Sequence, residues 1–355
     1  MDISFLPFPL LLAVFAAAGI TIWFAGIQVS KTTDLLLKHF KLGEALGGMI
    51  LLAIVTNLPE VAIVVSSALT NNIGIAVGNI LGGIAIQTVV IAVLDFWGLG
   101  KKVALTNSVN SLVPVLEGIL VIAVLSMAVM GHELPDSFIF LRISPADVFI
   151  LAFWIIGIYL INKAKTDLPW TSKARSSTLP PGKDEKSNGN RNGNQSNDKK
   201  NIKKNIIIFL ACAMVTLVAG FAAELSSDAI AKHIGMQGVI FGATILAAIT
   251  SLPEISTGLA ALKIQDYEMA ISDILGGNAF LPVLFFVATL ITGKAVLPKA
   301  QKTDVYLTAL AMLLTTVYVC GIVFRSKKQI FKMGMDSFIV ILLYVIGILG
   351  LFIIK

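Results

Sequence analysis

Two stretches of the sequence decide the fold: TNLPE at residues 56–60 followed by GNILGG at 78–83, and TSLPE at 250–254 followed by SDILGGN at 272–278. A single offset of 194 residues aligns the two copies without a gap. Chance similarity between two apolar segments would not also align a Pro-Glu pair with an Ile-Leu-Gly-Gly run. The chain therefore contains an internal repeat, which has to be recognised before any fold is assigned.

The composition places the repeat in a membrane. Hydrophobic residues make up 56% of the chain, charged residues 14%, and the mean hydropathy is +0.88, a balance that excludes a water-soluble globular domain. A helix needs roughly 20 mostly apolar residues to cross the hydrocarbon. Ten such stretches are predicted to span the bilayer, at residues 8–29, 45–69, 73–96, 111–130, 146–162, 205–224, 236–262, 268–292, 304–324 and 336–354.

The repeat copies fall on the second and third spans, and again on the seventh and eighth. Because five spans separate them, the second copy runs in the opposite direction through the membrane. The sequence predicts an all-α polytopic membrane protein of ten transmembrane helices, arranged as two inverted five-helix repeats. The first half is 1–162 with its motif at 45–96, and the second is 206–355 with its motif at 236–292. Inverted repeats are typical of alternating-access transporters.

The net charge of +6 comes from one segment, 163–205, which holds eleven Lys or Arg against four Asp or Glu. Because the rest of the chain is nearly neutral, nucleic-acid binding is excluded. The segment is rich in Ser, Asn, Gly and Lys, so we predict a disordered cytoplasmic linker. It is either a hinge between the halves or an arm that contacts anionic lipid.

Positive charge also predicts the orientation, since Lys and Arg collect in cytoplasmic loops. The loops after spans one, three, five and nine are basic, so we expect them inside, with both termini outside and the cell membrane as the location. The loops expected outside are poor in Lys and Arg, among them the one with Glu224, Asp228 and Lys232. The loop after span eight is contrary, because it would carry Lys294, Lys299 and Lys302 outside. The basic residues of the inner loops other than the linker are Lys31, Lys38, Lys41, Lys101, Lys102, Arg325, Lys327, Lys328 and Lys332.

Each repeat carries a glutamate near the middle of a span, Glu60 and Glu254. An ionised carboxylate there costs about 2.5 to 3.5 kcal/mol. Each follows a proline that leaves a helix carbonyl unbonded, at Val55 and at Ile249. Neighbouring oxygens come from Thr56, Asn57, Thr250 and Ser251. Carboxylate, carbonyl and hydroxyl oxygens suit a hard cation such as calcium. The alternative is a protonated glutamate with a structural hydrogen bond.

Small residues recur every fourth position on the helices after each glutamate and favour close packing in lipid. This packing would bring four polar side chains near the glutamates: Asn79, Gln87, Asp273 and Asn278. Asp273 is an acid where the first copy has Asn79, and it is either a ligand or a partner of a helix end. Asp95 is predicted to be an interface charge that reaches Lys101 or Lys102.

These motifs resemble the cation/calcium exchanger superfamily, and within it the sodium/calcium exchanger branch with its two alpha repeats. The family pattern is roughly G-T-S-[LV]-P-[ED], then G-N-x-x-G-S-N. The resemblance implies that Glu60 and Glu254 are paired calcium ligands. It also implies that Thr56 and Thr250 give backbone oxygens, and that Asn57 and Ser251 border flanking sodium sites.

This sequence departs from the family at two positions of each repeat. The family commonly has Ser 23 residues after the glutamate, where this chain has Gly83 and Gly277. It has Asn or Asp 27 residues after the glutamate, where this chain has Gln87 and Leu281. The missing oxygens argue against a three-sodium stoichiometry and against potassium cotransport.

The predicted function is a secondary antiporter that exchanges Ca²⁺ for Na⁺ by alternating access, without a cofactor. The alternative on the same scaffold is a proton-coupled antiporter for Ca²⁺ or another divalent cation, because buried glutamates can also carry protons. An enzyme or channel is disfavoured, since no HExxH motif, catalytic triad or pore-lining charged ring is present. The expected partners are the lipid bilayer and inorganic cations, and the sequence leaves the oligomeric state open.

Overall fold

The structure, a computed structural model, describes residues 3–40, 49–99, 103–167, 195–236, 238–351 and 353–354. The first half contains α1 Phe8–Phe40, α2 Met49–Thr56, α3 Leu58–Leu69, α4 Ile73–Leu94, α5 Leu105–Ser108, α6 Val113–His132 and α7 Pro145–Asp167. The second contains α8 Gln195–Ile234, α9 Gly238–Phe241, α10 Ala247–Thr250, α11 Leu252–Lys263, α12 Tyr267–Phe280, α13 Leu284–Thr292, α14 Lys302–Phe324 and α15 Met335–Leu351. A short antiparallel hairpin, β1 Gln329–Ile330 and β2 Met333–Gly334, precedes α15.

The helical membrane architecture is confirmed, although several spans are broken. Among the described residues, seven helices are long and apolar enough to cross a bilayer. An eighth span is possible where 242–250 meets α11 at a bend of 44°. The helices α3 and α15 are apolar but shorter. Each of the ten predicted stretches contains at least one helix.

The breaks in the two repeats have the same backbone geometry. Between α2 and α3, Asn57 has φ −87° and ψ 16°, and between α10 and α11, Ser251 has φ −80° and ψ 1°. A proline lies in the first turn of the helix that follows each break. The sequence predicts an irregular helix with one unbonded carbonyl at each proline. The structure instead uses proline where a helix begins, since its missing N–H is not needed there.

The repeat extends beyond the breaks. The helices α3 and α11 are each 12 residues long, and α4 and α12 begin at Ile73 and Tyr267, which are again 194 residues apart. Even the turns between them match, because Asn71 and Gln265 both have positive φ, at 57° and 64°. The offset read from the sequence is therefore also the offset of the backbone.

The broken helices surround α4. This helix forms most of a span at Ile73–Trp97, and 83% of the apolar stretch of that span is buried. The largest hydrophobic cluster joins α4 with α6, α12 and α14. The helices α1 and α8 pack along each other, α8 against α3 and α1 against α11. The repeat helices are therefore held between the central cluster and the α1–α8 pair.

The structure adds to or corrects three sequence predictions. The prediction of a loop at Glu224 is wrong, because α8 continues to Ile234 and Glu224 lies buried within it. The side chain of Asp95 is buried within the protein, and it accepts hydrogen bonds from the Gly334 amide at 2.6 Å and the Ser337 hydroxyl at 2.7 Å. The predicted linker is helical at both ends, where α7 and α8 extend into it. Residues 168–194, and Lys101 and Lys102, lie outside the described residues.

Candidate cation site

The two glutamates meet at the centre of the fold. Glu60 and Glu254 lie in the first turns of α3 and α11, directly after the helix breaks, and neither is exposed. The side chain of Gln87, on α4, joins them. Its amide nitrogen lies 3.3 Å from Glu60 Oε1 and 3.5 Å from Glu254 Oε1. A single amide group therefore contacts both carboxylates.

The residues that precede each glutamate turn their side chains back onto helix carbonyls. Asn57 donates from Nδ2 to the Ala53 carbonyl at 2.6 Å, and Ser251 donates from Oγ to the Ala247 carbonyl at 2.7 Å. These pairs occupy equivalent positions in the two repeats. The other amide atom of Asn57, Oδ1, accepts from Gln87 at 3.3 Å, so the amides of Asn57 and Gln87 form a chain towards the carboxylates.

The threonines before the breaks make contacts within and between the repeats. The Thr56 hydroxyl lies 3.1 Å from the Leu52 carbonyl and 3.4 Å from Asp273 Oδ1. The Thr250 hydroxyl lies 3.3 Å from the Ala247 carbonyl and also approaches Glu60. Each threonine therefore reaches an acid of the site.

Asp273 adds a further carboxylate close to Glu254. It is buried at the seventh position of α12, away from either end of that helix, and it repels Glu254 electrostatically. Its second oxygen accepts a hydrogen bond from Thr257. Sequence reasoning missed Thr257, although its spacing of three residues after Glu254 places both on one helix face.

Asn278 and Asn79 bond neither to the glutamates nor to Gln87 or Asp273 in the described part of the chain. Asn278 directs its amide nitrogen to α4, at 3.3 Å from the Thr88 hydroxyl and 3.5 Å from the Ile84 carbonyl. Asn79 is fully buried, and its side chain has no hydrogen-bond partner among the described residues. It lies eight residues before Gln87 on α4, which is about 12 Å along a helix.

Several oxygens at the centre lack partners in the part of the chain that the structure describes. They are Oε2 of Glu60, Oε2 of Glu254 and Oε1 of Gln87. No Lys or Arg among the described residues forms an ion pair with these glutamates. Buried acceptors without donors are costly, and a hard divalent cation would satisfy them.

The donor set is mixed in kind. Among the described residues, no group of three or more His, Cys, Asp or Glu side chains has the arrangement of a resident metal centre. The oxygens come instead from carboxylates, amides and hydroxyls on the six helices α2, α3, α4, α10, α11 and α12. Such a set suits a cation that binds and leaves, because Ca²⁺ takes about 6 to 8 oxygens in flexible geometry.

Gly83 and Gly277, which replace the serines of the family pattern, differ in their surroundings. A Cβ atom built at Gly277 would lie 2.6 Å from Asn57 Nδ2. One at Gly83 would have Leu281 Cδ1 as its nearest neighbour, at 3.9 Å. The Asn57 amide therefore occupies the space beside Gly277, whereas the equivalent space beside Gly83 is open.

The chain is similar in sequence to known membrane proteins. It matches the family described as "Sodium/calcium exchanger protein" over residues 10–162 and 204–353. It is 24% identical over 316 residues to the putative antiporter CaxA of Alkalimonas amylolytica, covering 86% of this chain and 88% of that protein. It is also 24% identical over 298 residues to the inner membrane protein YrbG of Escherichia coli K12, covering 83% of each.

Solved structures show the same fold. The sodium-calcium exchanger NCX_Mj aligns with a TM-score of 0.61 at 17% identity, over 99% of both chains. YfkE aligns with a TM-score of 0.63 at 15% identity, over 96% of this chain and 92% of that one. Because the family match covers both halves, the resemblance predicted from the motifs is confirmed: the chain is an integral membrane protein that belongs to the sodium/calcium exchanger family of antiporters.

Proposed function

We propose that the chain exchanges Ca²⁺ against Na⁺ as a secondary antiporter, by alternating access and without a cofactor. The observation that carries the proposal is that Glu60 and Glu254, from equivalent helix breaks, share hydrogen bonds with the one amide of Gln87. Their two charges balance one divalent cation. Binding in a dry site costs less when charge and oxygen ligands are supplied together.

The proposed cation ligands and their neighbours are the ten residues that the sequence singled out. Glu60 and Glu254 would bind the divalent ion directly, and Gln87 would offer its unpartnered oxygen. Asp273 supports this role because it adds negative charge next to Glu254. Asn79 and Asn278 would influence the bound ion from a distance, without contacting it. The remaining members of the set are Thr56, Thr250, Asn57 and Ser251.

We also propose that ten helices form two inverted five-helix halves, 1–162 and 206–355, joined by 163–205. A second repeated element supports halves of this length. Tight turns precede α7 and α15, where Phe140 pairs with Ile143 and Ile330 pairs with Met333, 190 residues apart. In both turns the two central residues have positive φ, as type I′ turns require.

The distribution of Lys and Arg supports termini on the outside and a cytoplasmic linker, in the cell membrane. Lys294 and Lys299 remain contrary to this orientation, since both lie at the same end of the molecule as the α3–α4 turn. They line one cavity together with Asn71 and Asn72.

Proton coupling is the second candidate. It is favoured by Glu60 and Asp273, two acids that each lie close enough to Glu254 to repel it. It is also favoured by the glycines at positions 83 and 277, which supply no hydroxyl oxygen for Na⁺. Carboxylates in an apolar environment readily carry protons. The two candidates differ only in the ion that returns through the site.

Flux into sealed proteoliposomes tests both the site and the coupling. We expect Ca²⁺ uptake driven by a Na⁺ gradient, which Glu60→Gln or Glu254→Gln abolishes. The control is Asp147→Asn, since Asp147 is a buried acid on α7. If Ca²⁺ uptake follows a pH gradient in the absence of Na⁺, the coupling ion is H⁺ and not Na⁺. Wild-type rates in both glutamate variants would refute the site.

A further inference from the structure

A buried acid outside the cation site connects α8 to α3. Glu224 is 1% exposed, and its two carboxylate oxygens accept hydrogen bonds from two consecutive serines of α3. Ser66 Oγ donates to Oε2 at 2.6 Å, and Ser67 Oγ donates to Oε1 at 3.2 Å. Both serines are fully buried. We refer to these two hydrogen bonds as the Glu224 clamp.

The clamp acts on the helix that carries Glu60. Ser66 lies six residues after Glu60 on α3, about 9 Å along the helix. One turn before Glu224 on the same face of α8, Gly220 packs against the start of α3. A Cβ atom built at Gly220 would lie 2.9 Å from the Pro59 carbonyl oxygen. The α8 helix therefore contacts α3 at the break and is hydrogen-bonded to it at the far end.

The other half has the glycine contact without the clamp. Gly26 of α1, 194 residues before Gly220, lies against Pro253, with a built Cβ 2.9 Å from Pro253 Cγ. The residues of α11 equivalent to Ser66 and Ser67 are Ala260 and Ala261, which have no side-chain donor. The two helix pairs thus pack alike, but only α3 and α8 are joined in this way by a buried carboxylate.

The two serines of the clamp are also bonded to the turn that leads from α3 to α4. The backbone carbonyls of Ser66 and Ser67 accept from the amides of Thr70 and Asn72, at 2.9 and 2.8 Å. This turn lines a cavity of about 430 Å³ together with Glu224. It also lines a neighbouring cavity of about 820 Å³. Movement of α3 away from α8 would therefore change the walls of both cavities.

We propose that Glu224 is a positioning residue for Glu60, and that it stabilises the arrangement of α3 in which the buried glutamates are shut off from these cavities. The inference rests on the proposed cation transport. Charge-assisted hydrogen bonds are about twice as strong as neutral ones, so loss of the clamp shifts the equilibrium towards access from the side of the Thr70–Asn72 turn. Such a shift changes apparent affinity on the two faces in opposite directions.

The experiment measures the apparent KM for Ca²⁺ on each face of oriented vesicles. In Glu224→Gln we expect the KM to fall on the face of the Thr70–Asn72 turn and to rise on the opposite face. The ratio of the two values should change by about tenfold, which corresponds to about 1.4 kcal/mol. Ser66→Ala with Ser67→Ala removes the donors and should shift the ratio in the same direction. Ser226→Ala is the control, because its hydroxyl bonds only to carbonyls of its own helix.

Two results would overturn the proposal: an unchanged ratio in both clamp variants, or a KM that moves in the same direction on both faces. A readout that needs no transport separates this failure from failure of the proposed function. The background protein has Cys212 and Cys320 replaced by alanine and carries Asn79→Cys as the single reactive thiol. A membrane-impermeant maleimide is added on the side of the Thr70–Asn72 turn. We expect this thiol to react faster when Glu224→Gln is also present. An equal rate with and without Glu224→Gln also contradicts the clamp, whatever ion the protein carries.

Discussion

Replacing Gly277 with alanine tests how the site is shaped, because the same change at Gly83 provides a matched control. The two glycines occupy equivalent positions in the repeats. A Cβ at Gly277 would overlap Asn57 Nδ2 at 2.6 Å, whereas at Gly83 the nearest atom, Leu281 Cδ1, is 3.9 Å away. The structure therefore predicts opposite effects on stability for the same substitution.

The magnitude follows from the contacts of Asn57. Alanine is favoured over glycine inside a helix by about 1 kcal/mol, so Gly83→Ala should raise the free energy of unfolding by up to that amount. At Gly277 the Asn57 side chain has to move. It then loses its 2.6 Å bond to the Ala53 carbonyl and its 3.3 Å bond from Gln87. Each of the two amide atoms left unpaired costs about 1 to 3 kcal/mol. After the helix gain of about 1 kcal/mol is subtracted, we expect a net loss of about 1 to 5 kcal/mol.

Thermal unfolding in detergent measures both effects, and a double-mutant cycle identifies the cause. Asn57→Ser shortens the side chain to the residue found at the equivalent Ser251, so combining it with Gly277→Ala should relieve the overlap. We expect a favourable coupling of about 1 kcal/mol or more between the two changes. Equal stability of Gly277→Ala and Gly83→Ala, or strict additivity in the cycle, would show that Asn57 does not fill this space.

Three further substitutions probe other contacts. Gly82→Ala should lower the yield of folded protein after detergent extraction. The methyl group of the new alanine would overlap the backbone of Ala243 in the neighbouring helix. Asp95→Asn should destabilise the protein by about 2 to 4 kcal/mol in thermal unfolding. In this variant an amide nitrogen would replace a carboxylate oxygen that accepts hydrogen bonds from neighbours such as Ser337. Gln87→Leu should raise the KM for Ca²⁺ in flux assays by about tenfold or more. This change removes the amide group that contacts the carboxylates of both Glu60 and Glu254.

Each of these expectations has a direct counter-result. Normal extraction of Gly82→Ala would mean that the helices can separate at that crossing without cost. An unchanged melting temperature of Asp95→Asn would show that its hydrogen bonds are replaced by water. A Gln87→Leu variant with wild-type KM would remove this amide from the proposed ligand set.

The sequence predicted those features that depend on local chemistry and on the repeat. A proline beside a glutamate in an apolar run predicted a helix irregularity at each site, and the shared offset predicted that Glu60 and Glu254 meet. Both residues lie where this reasoning placed them. The offset was informative because it tied two distant segments together, which hydropathy alone cannot do.

Features that depend on which helices become neighbours were not predictable. The sequence places Glu224 at the start of a loop because the apolar stretch 205–224 ends there. Its burial depends on two serine donors 157 and 158 residues away. The hydrogen bonds of Asp95 were equally unpredictable, since its donor Gly334 belongs to the other half of the chain. Single-sequence patterns carry no information about such pairings.

The repeat copies share the backbone around the helix breaks and differ in their side chains, and this division fits the alternating access that we propose. The break, the glycine contact onto the proline and the bounds of α3 and α11 recur at one offset, so in the proposed mechanism the two copies would exchange geometries when the open side changes. A single bound ion needs only one ligand set, which need not be symmetric. Asn57 against Ser251 and Asn79 against Asp273 are differences of this second kind. Substitutions that make these pairs identical should therefore alter ion affinity and coupling. Substitutions at Gly26 and Gly220, the glycines that contact the prolines in both copies, should instead alter the rate of exchange between the two open sides.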